Sequence, residues 1–523
     1  MKYCLNTTLL LTSRIHSRIH SPMRMTTSLL ALALTVSASG ITVPPPIPDR
    51  PESLVFTPLR FEPPSAAEYR HTLPCGLTVF LAPSTELPLI DLSITFKGGS
   101  YLESADEIGL AGMTGALLRT GGTTTVAPSE IDETIDFLAS EVKIGIGLMN
   151  ASASINCLKP NFDESLALLM DMLRNPRFDE AQLMLRKQEA VESMKQRNDD
   201  AAPILDREWS ILLYGENHFE SAEPTGASIA SITPEKMRAF AARVFHPGNA
   251  IIAVSGDFDT AAMLAKLETA FASWPAGETV GDPPAPSSSF VPGVYHVQKD
   301  IPQGKVYIGG RAITRDDPDY FKFLVMNEIL GGGGFTSRIM KSVRSDKGLA
   351  YSAGSDLSPR VWYPGEFRAQ FQSKNATVAE AKATVFAEFD KMRAQLVSAE
   401  ELDTAKKSFV ETFPRTFESK PQMLNVFVAD AMTKRDENYW RDYRANISSV
   451  TAEDVQAVAK KYLDPASMAI FIVGDWGTIS NGDPAAPANR PKFSEDGTTH
   501  LPLRDPMTMQ PMSGAAPAAP ASK

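Results

Sequence analysis

The segment Ser231–Phe258, SITPEKMRAFAARVFHPGNAIIAVSGDF, aligns without a gap on Ser449–Trp476, SVTAEDVQAVAKKYLDPASMAIFIVGDW. Matched positions stand 218 residues apart throughout, as in Thr233 with Thr451, Pro247 with Pro465 and Gly256 with Gly474. Self-similarity of this kind marks a duplicated structural unit. Each copy opens on Ser or Thr followed by an acid, the pattern that caps a helix, and continues with apolar side chains at helical spacing. A Pro break then leads into an apolar, β-rich run ending in Gly-Asp. The chain is therefore expected to contain the same helix-then-strand unit twice. Its 523 residues, 43% hydrophobic and 22% charged, suffice for separate packed cores and exclude a wholly disordered or fibrous protein.

The remaining periodicity fits two blocks of similar make-up. In the first, Leu77–Leu81 and Leu89–Phe96 read as strands of a hairpin and Ala151–Leu158 as a further strand. Residues 130–140, 162–174 and 179–197 read as helices. In the second, 304–312 and 366–372 read as strands, and 320–330 and 377–396 as helices. The expected fold class is α+β: two duplicated domains, each a mainly antiparallel sheet with helices on one face, joined by a linker in a clam-like arrangement. The expected boundaries are a Pro-rich lead-in at 39–64, an N-terminal domain at 65–274, a linker at 275–292 and a C-terminal domain at 293–476. After Trp476 periodicity is lost, and 477–523, ending PMSGAAPAAPASK, reads as a low-complexity tail.

Residues 1–38 carry Lys2, Arg14, Arg18 and Arg24, no acid, a short apolar run from Leu29 to Leu34, and the small residues Ser37 and Ala38. That order reads as a secretory signal peptide, too short in its apolar part to span a bilayer. Met23 or Met25 offers an alternative start. The expected location is exported, periplasmic in a Gram-negative source, with no membrane anchor. Lys and Arg number 51 against 62 Asp and Glu, a net charge of −11 that becomes −15 once the four cations of the signal are removed. Nothing in this balance attracts nucleic acid. Cys75 and Cys157 either pair or sit apart as small core residues; with Cys4 they form no CxxC. His16 and His20 fall in the signal, and His71, His218, His246, His296 and His500 are isolated, reading as ordinary surface or loop residues.

The stretch from Gly76 to Thr123, GLTVFLAPSTELPLIDLSITFKGGSYLESADEIGLAGMTGALLRTGGT, resembles the start of the pitrilysin or insulinase type (M16) of zinc metallopeptidase, the family that includes mitochondrial processing peptidase. In that family a hairpin leads to a helix bearing His-x-x-Glu-His, whose histidines bind zinc and whose Glu is the base. Here those five positions are Gly112, Met113, Thr114, Gly115 and Ala116, and the third ligand position falls on Ser193, with Glu189 and Glu192 nearby. No metal is expected in this chain. Ile329–Ser355, ILGGGGFTSRIMKSVRSDKGLAYSAGS, resembles the family's C-terminal signature, in which an Arg and a Tyr seven residues apart contact the substrate carbonyl oxygen. These are Arg344 and Tyr351, with Gly331, Gly332, Gly333 and Gly334 expected to let backbone approach a peptide closely. A guanidinium and a phenol both suit a developing oxyanion. The plain alternative makes Arg344 an exposed helix residue and Tyr351 a strand aromatic with its ring in the core.

The resemblance implies the non-zinc subunit of a heterodimeric metalloendopeptidase, supplying Arg344 and Tyr351 in trans to a homologous partner that holds Zn2+ and acts on a peptide substrate. The alternative is a non-catalytic structural or peptide-holding subunit, like the core proteins of the respiratory bc1 complex. By net charge alone, basic peptides would be steered to such a chain. No GxSxG and no Cys and His arrangement supports a self-sufficient hydrolase.

Overall fold

A computed structural model describes Arg50, residues 53–54, 60–484 and 490–512. The expected signal peptide at 1–38, most of the expected lead-in at 39–64 and the final segment from Ser513 lie outside the described residues. Residues from Leu59 onward form one unit.

Two six-stranded sheets organise this unit. The first contains β1 (Arg70–Thr72), β2 (Thr78–Pro83), β3 (Leu89–Lys97), β4 (Glu141–Ile146), β5 (Asn150–Leu158) and β6 (Ala250–Gly256), in the order β1-β2-β6-β3-β5-β4. The second contains β7 (Gly293–Gln298), β8 (Gln303–Arg311), β9 (Ala350–Ser358), β10 (Glu366–Lys374), β11 (Ala469–Gly474) and β12 (Thr498–Leu501), in the order β12-β7-β11-β8-β10-β9. Five strands correspond one to one. In each sheet the strand that ends the sequence repeat, β6 or β11, lies parallel to one neighbour, β2 or β7, and antiparallel to the other, β3 or β8. The α+β duplicated fold is thus present, and the sheets are open and mainly antiparallel.

The expected hairpin of 77–81 with 89–96 does not form, because β6 stands between β2 and β3. The reason lies in composition: β6 and β11 read as continuous apolar runs rather than alternating ones, and such strands belong at the buried centre of a sheet. All six residues of β11 are buried.

Helices of each half cover one face of that half's own sheet. Leu110–Thr120, Phe162–Arg174 and Pro234–Val244 do so in the first, and Tyr320–Asn327, Val378–Ala394 and Ala452–Tyr462 in the second. The other faces are covered by exchange. Helix Ala201–Tyr214 buries Ile204, Leu205, Trp209 and Leu213 against Val297, Phe471 and Val473 of the second sheet. Helix Lys420–Thr433 buries Met423, Leu424, Phe427 and Val428 against Phe80, Ala82 and Ala253 of the first. Pro203 and Pro421, again 218 apart, lie in the first turns of these two helices, where N–H groups have no partner within the helix.

The sequence reading of 477–523 as a tail is corrected over its described residues, 477–484 and 490–512. Helix Trp476–Asn481 follows the last repeat strand, and β12 adds in parallel to β7, with His500 opposite His296. Arg504 then reaches the first half, pairing with Glu208 at 2.9 Å and Glu216 at 2.6 Å. Main-chain pairing, the buried Arg504–Glu208 ion pair and scattered apolar contacts of Phe493, Leu501 and Leu503, without any periodicity, hold this arm in place. The histidine expectation is corrected in part: His218 and His246 lie in loops but are buried, and His296 is buried within β7. The two cysteines are free thiols, Cys75 exposed and Cys157 buried.

Candidate functional site

The helix that carries the metal motif positions lies against edge strand β4. Its first turn is held by the Glu103 carboxylate, which accepts hydrogen bonds from the N–H groups of Gly109 at 3.1 Å and Ala111 at 2.6 Å. Burial is the main cause that pushes this carboxyl up to about 7. Along the helix, Met113 and Thr114 are buried, Gly112 faces open space and Ala116 is half-buried. Gly115 marks a backbone contact with β4: a Cβ there would stand 2.8 Å from Ile146 N and 3.2 Å from Gly145. The base position of the motif is therefore closed as well as empty. On helix Glu180–Lys195, Ser193 is exposed, and Glu189 and Glu192 are exposed and paired with Arg186 and Lys195. No three His, Cys, Asp or Glu among the described residues stand close enough to hold a metal ion. The residues present do not fit zinc.

The second sheet carries a different arrangement at the corresponding place. Helix Tyr320–Asn327 widens into a π-helical segment, Glu328–Gly332, that rests on edge strand β9. A Cβ on Gly331 would meet Ser355 N at 2.3 Å, and Asn327 fixes the same strand by accepting from Ser355 Oγ at 2.7 Å. Gly331 is buried, and its missing side chain lets the π-helical segment pack directly on β9. Gly332 and Gly333 back onto Asn327 and Glu328, while Gly334, at φ +59° with open space where a Cβ would stand, makes the exposed left-handed turn. A second π-helical segment, Met340–Asp346, follows and carries Arg344. π-Helical turns are rare and concentrate at functional sites. Arg338 ties this region down through a two-pronged pair with Glu401, at 2.6 and 2.8 Å, which holds the Glu401 carboxyl down at about 2.

Gly348, at φ +62°, turns the chain into β9, and Tyr351 stands at its head. The Arg344 guanidinium lies 4.6 Å from the Tyr351 ring centre and 4.9 Å from that of Phe335. Tyr351 is 83% exposed and Phe335 73%, so the core-aromatic alternative for Tyr351 does not hold. Cation–π contact orients the guanidinium without consuming its N–H groups. Among the described residues, neither the Arg344 guanidinium nor the Tyr351 hydroxyl has a hydrogen bond or ion pair of its own. The sequence reading missed Phe335, for which an apolar ring directly after four glycines was the available signal.

Residues 231–409 match the family model described as the peptidase M16 inactive domain. The chain is similar to the "Non-peptidase homolog YmxG" of Helicobacter pylori, 25% identical over 65% of this chain and 78% of that one. It is also similar to the "Uncharacterized zinc protease YmxG" of Bacillus subtilis, 23% identical over 67% and 84%. Among solved structures, a peptidase M16 inactive domain from Pseudomonas fluorescens superposes with a TM-score of 0.70 at 24% identity, covering 78% of this chain and 98% of that one. A protease from Helicobacter pylori gives 0.67 at 20%, over 79% and 100%. The chain thus shares the fold of these M16 structures and matches the M16 inactive domain over residues 231–409, while its 110–120 helix lacks the side chains of a metal site.

Proposed function

We propose that this chain is the non-zinc subunit of a two-chain M16-type metalloendopeptidase, exported to the periplasm, with Zn2+ held by a homologous partner. The observation that carries this reading is the pair at the head of β9: Arg344, oriented between two exposed rings, and Tyr351, both with unspent donors. In the reading, the guanidinium and the phenol donate to the carbonyl oxygen of a bound peptide and strengthen as negative charge develops there. Loss of one such donor costs about 2.7 to 4 kcal/mol of transition-state stabilisation. Tyr351→Phe, mixed with the zinc-bearing partner, should therefore turn over peptide roughly 10²- to 10³-fold more slowly while assembling normally. Turnover at the parental rate would remove the trans-catalytic role.

The designation of the Helicobacter relative as a non-peptidase homolog favours a second reading, a structural or peptide-holding subunit. It predicts that Arg344→Ala and Tyr351→Phe leave every activity of the assembly unchanged.

A further inference from the structure

Beside Tyr351 the end of the second sheet opens on a cleft of about 530 Å³, within the size range of ligand pockets. Its charged lining is three cations, Lys347, Lys374 and Arg490, and one carboxylate, Asp483. Arg490 is matched, by Glu380 at 3.3 Å and Asp483 at 3.6 Å. The lysines are not. Lys347 donates to Thr384 Oγ1 at 3.0 Å and has no carboxylate partner, and Lys374 has neither an ion pair nor a side-chain hydrogen bond among the described residues. A further wall is a neutral amide pair, with Gln372 Nε2 donating to Gln303 Oε1 at 2.7 Å. The described lining thus offers two unmatched ammonium groups and no unmatched carboxylate, within a chain whose net charge is −11. Local charge here is opposite to the overall charge, which alone would point to basic peptides.

We infer that this cleft receives a carboxylate of a peptide lying at Arg344 and Tyr351, either an Asp or Glu side chain or the peptide's own C-terminus. The inference rests on the proposed peptide-binding role of that pair and adds the class of substrate. Two ammonium groups flanking a partly enclosed cleft form charge-assisted hydrogen bonds with a carboxylate, and a Gln in its place offers them one neutral acceptor oxygen and no charge.

The test is fluorescence anisotropy on the full chain without a partner, using extended octapeptides carrying a neutral dye. One has Glu and an amidated end, one Gln and a free carboxylate, and one Gln and an amidated end. At low salt at least one acidic peptide should bind about tenfold more tightly than the fully neutral one, and the preference should shrink as salt is raised. Which of the two binds identifies the source of the carboxylate. Lys374→Glu should abolish the preference, and Lys347→Gln should reduce it. Equal binding of all three peptides, no saturable binding of either acidic peptide up to about 1 mM, or equal weakening of acidic and neutral peptides by the lysine variants would overturn the inference. A lysine-dependent preference without partner-dependent cleavage would keep the cleft and discard the catalytic role. Partner-dependent cleavage with no such preference would do the reverse.

Discussion

Two glycines three residues apart on the 110–120 helix should respond oppositely to the same substitution. At Gly112 a Cβ meets nothing within 4 Å, so Gly112→Ala adds helix propensity alone, worth up to about 1 kcal/mol of stabilisation. At Gly115 the same methyl lands 2.8 Å from Ile146 N, well inside ordinary contact, and the obstacle is β4 backbone, not a movable side chain. The helix and the edge strand must separate by a few tenths of an ångström or more, and overpacking of this kind costs about 1–3 kcal/mol. Even after the propensity gain, Gly115→Ala should be destabilising, and the two variants should differ by about 1–3 kcal/mol. Urea titration of both variants against the parent measures this directly, with thermal melting as a second readout at about 2–4 °C per kcal/mol for a lobe of this size. The same contact implies that Gly112→His, Gly115→Glu and Ala116→His together restore the motif's letters but bind no stoichiometric zinc. If Gly115→Ala stabilises as much as Gly112→Ala, the claim that β4 closes the base position is wrong.

Further predictions concern buried polar groups and the exchanged helices. His296 is buried, donates from Nε2 to Gly474 O at 3.0 Å, and has its Nδ1 2.9 Å from His500 Nδ1; burial holds its pKa down to about 4. A histidine whose folded value lies below its unfolded 6.5 stabilises fully above that value. About 3 kcal/mol should therefore be lost as the pH falls from 6.5 towards 4, and His296→Gln should flatten that limb of a stability-versus-pH curve. Glu103 has the opposite sign. Its folded value near 7 exceeds 4.5, so its contribution is complete below 4.5 and lost as the pH rises through 7. Glu103→Gln keeps the acceptor for Gly109 and Ala111 and should raise stability by about 1–3 kcal/mol at pH 8 but not at pH 4, as urea titration at the two values would show. Trp209→Ala empties the contact between an exchanged helix and the second sheet and removes the indole N–H that donates to Glu366 at 2.6 Å. A loss of about 3–5 kcal/mol in chemical denaturation is expected.

The duplicated fold was legible because the repeat covers a central strand of each sheet together with the helix before it, and these are the segments under the strongest apolar constraint. The position of β6 between β2 and β3 was not drawn from the sequence, although its unbroken apolar run was the signal for a strand buried on both faces. The helix exchange was hidden, since which sheet an amphipathic helix covers is a matter of topology and not of periodicity. Only the shared Pro203 and Pro421 hinted that the two helices correspond. The arm through β12 was missed because main-chain pairing and the Arg504 to Glu208 contact leave no hydrophobic pattern. At the site, Arg344 and Tyr351 came from the resemblance, and the absence of imidazoles at 112 and 116 from direct reading. That Gly115 touches strand backbone, that Gly331 packs on β9, and that Lys347 and Lys374 gather beside Tyr351 are facts of tertiary packing.

The most direct measurement is the zinc content and peptide hydrolysis of the purified chain by itself, set against the same chain mixed with a histidine-bearing M16 homologue. The account predicts no stoichiometric zinc and no hydrolysis from the chain alone, with both present in the mixture and hydrolysis slowed by Tyr351→Phe. Hydrolysis by the isolated chain that a chelator abolishes would contradict it.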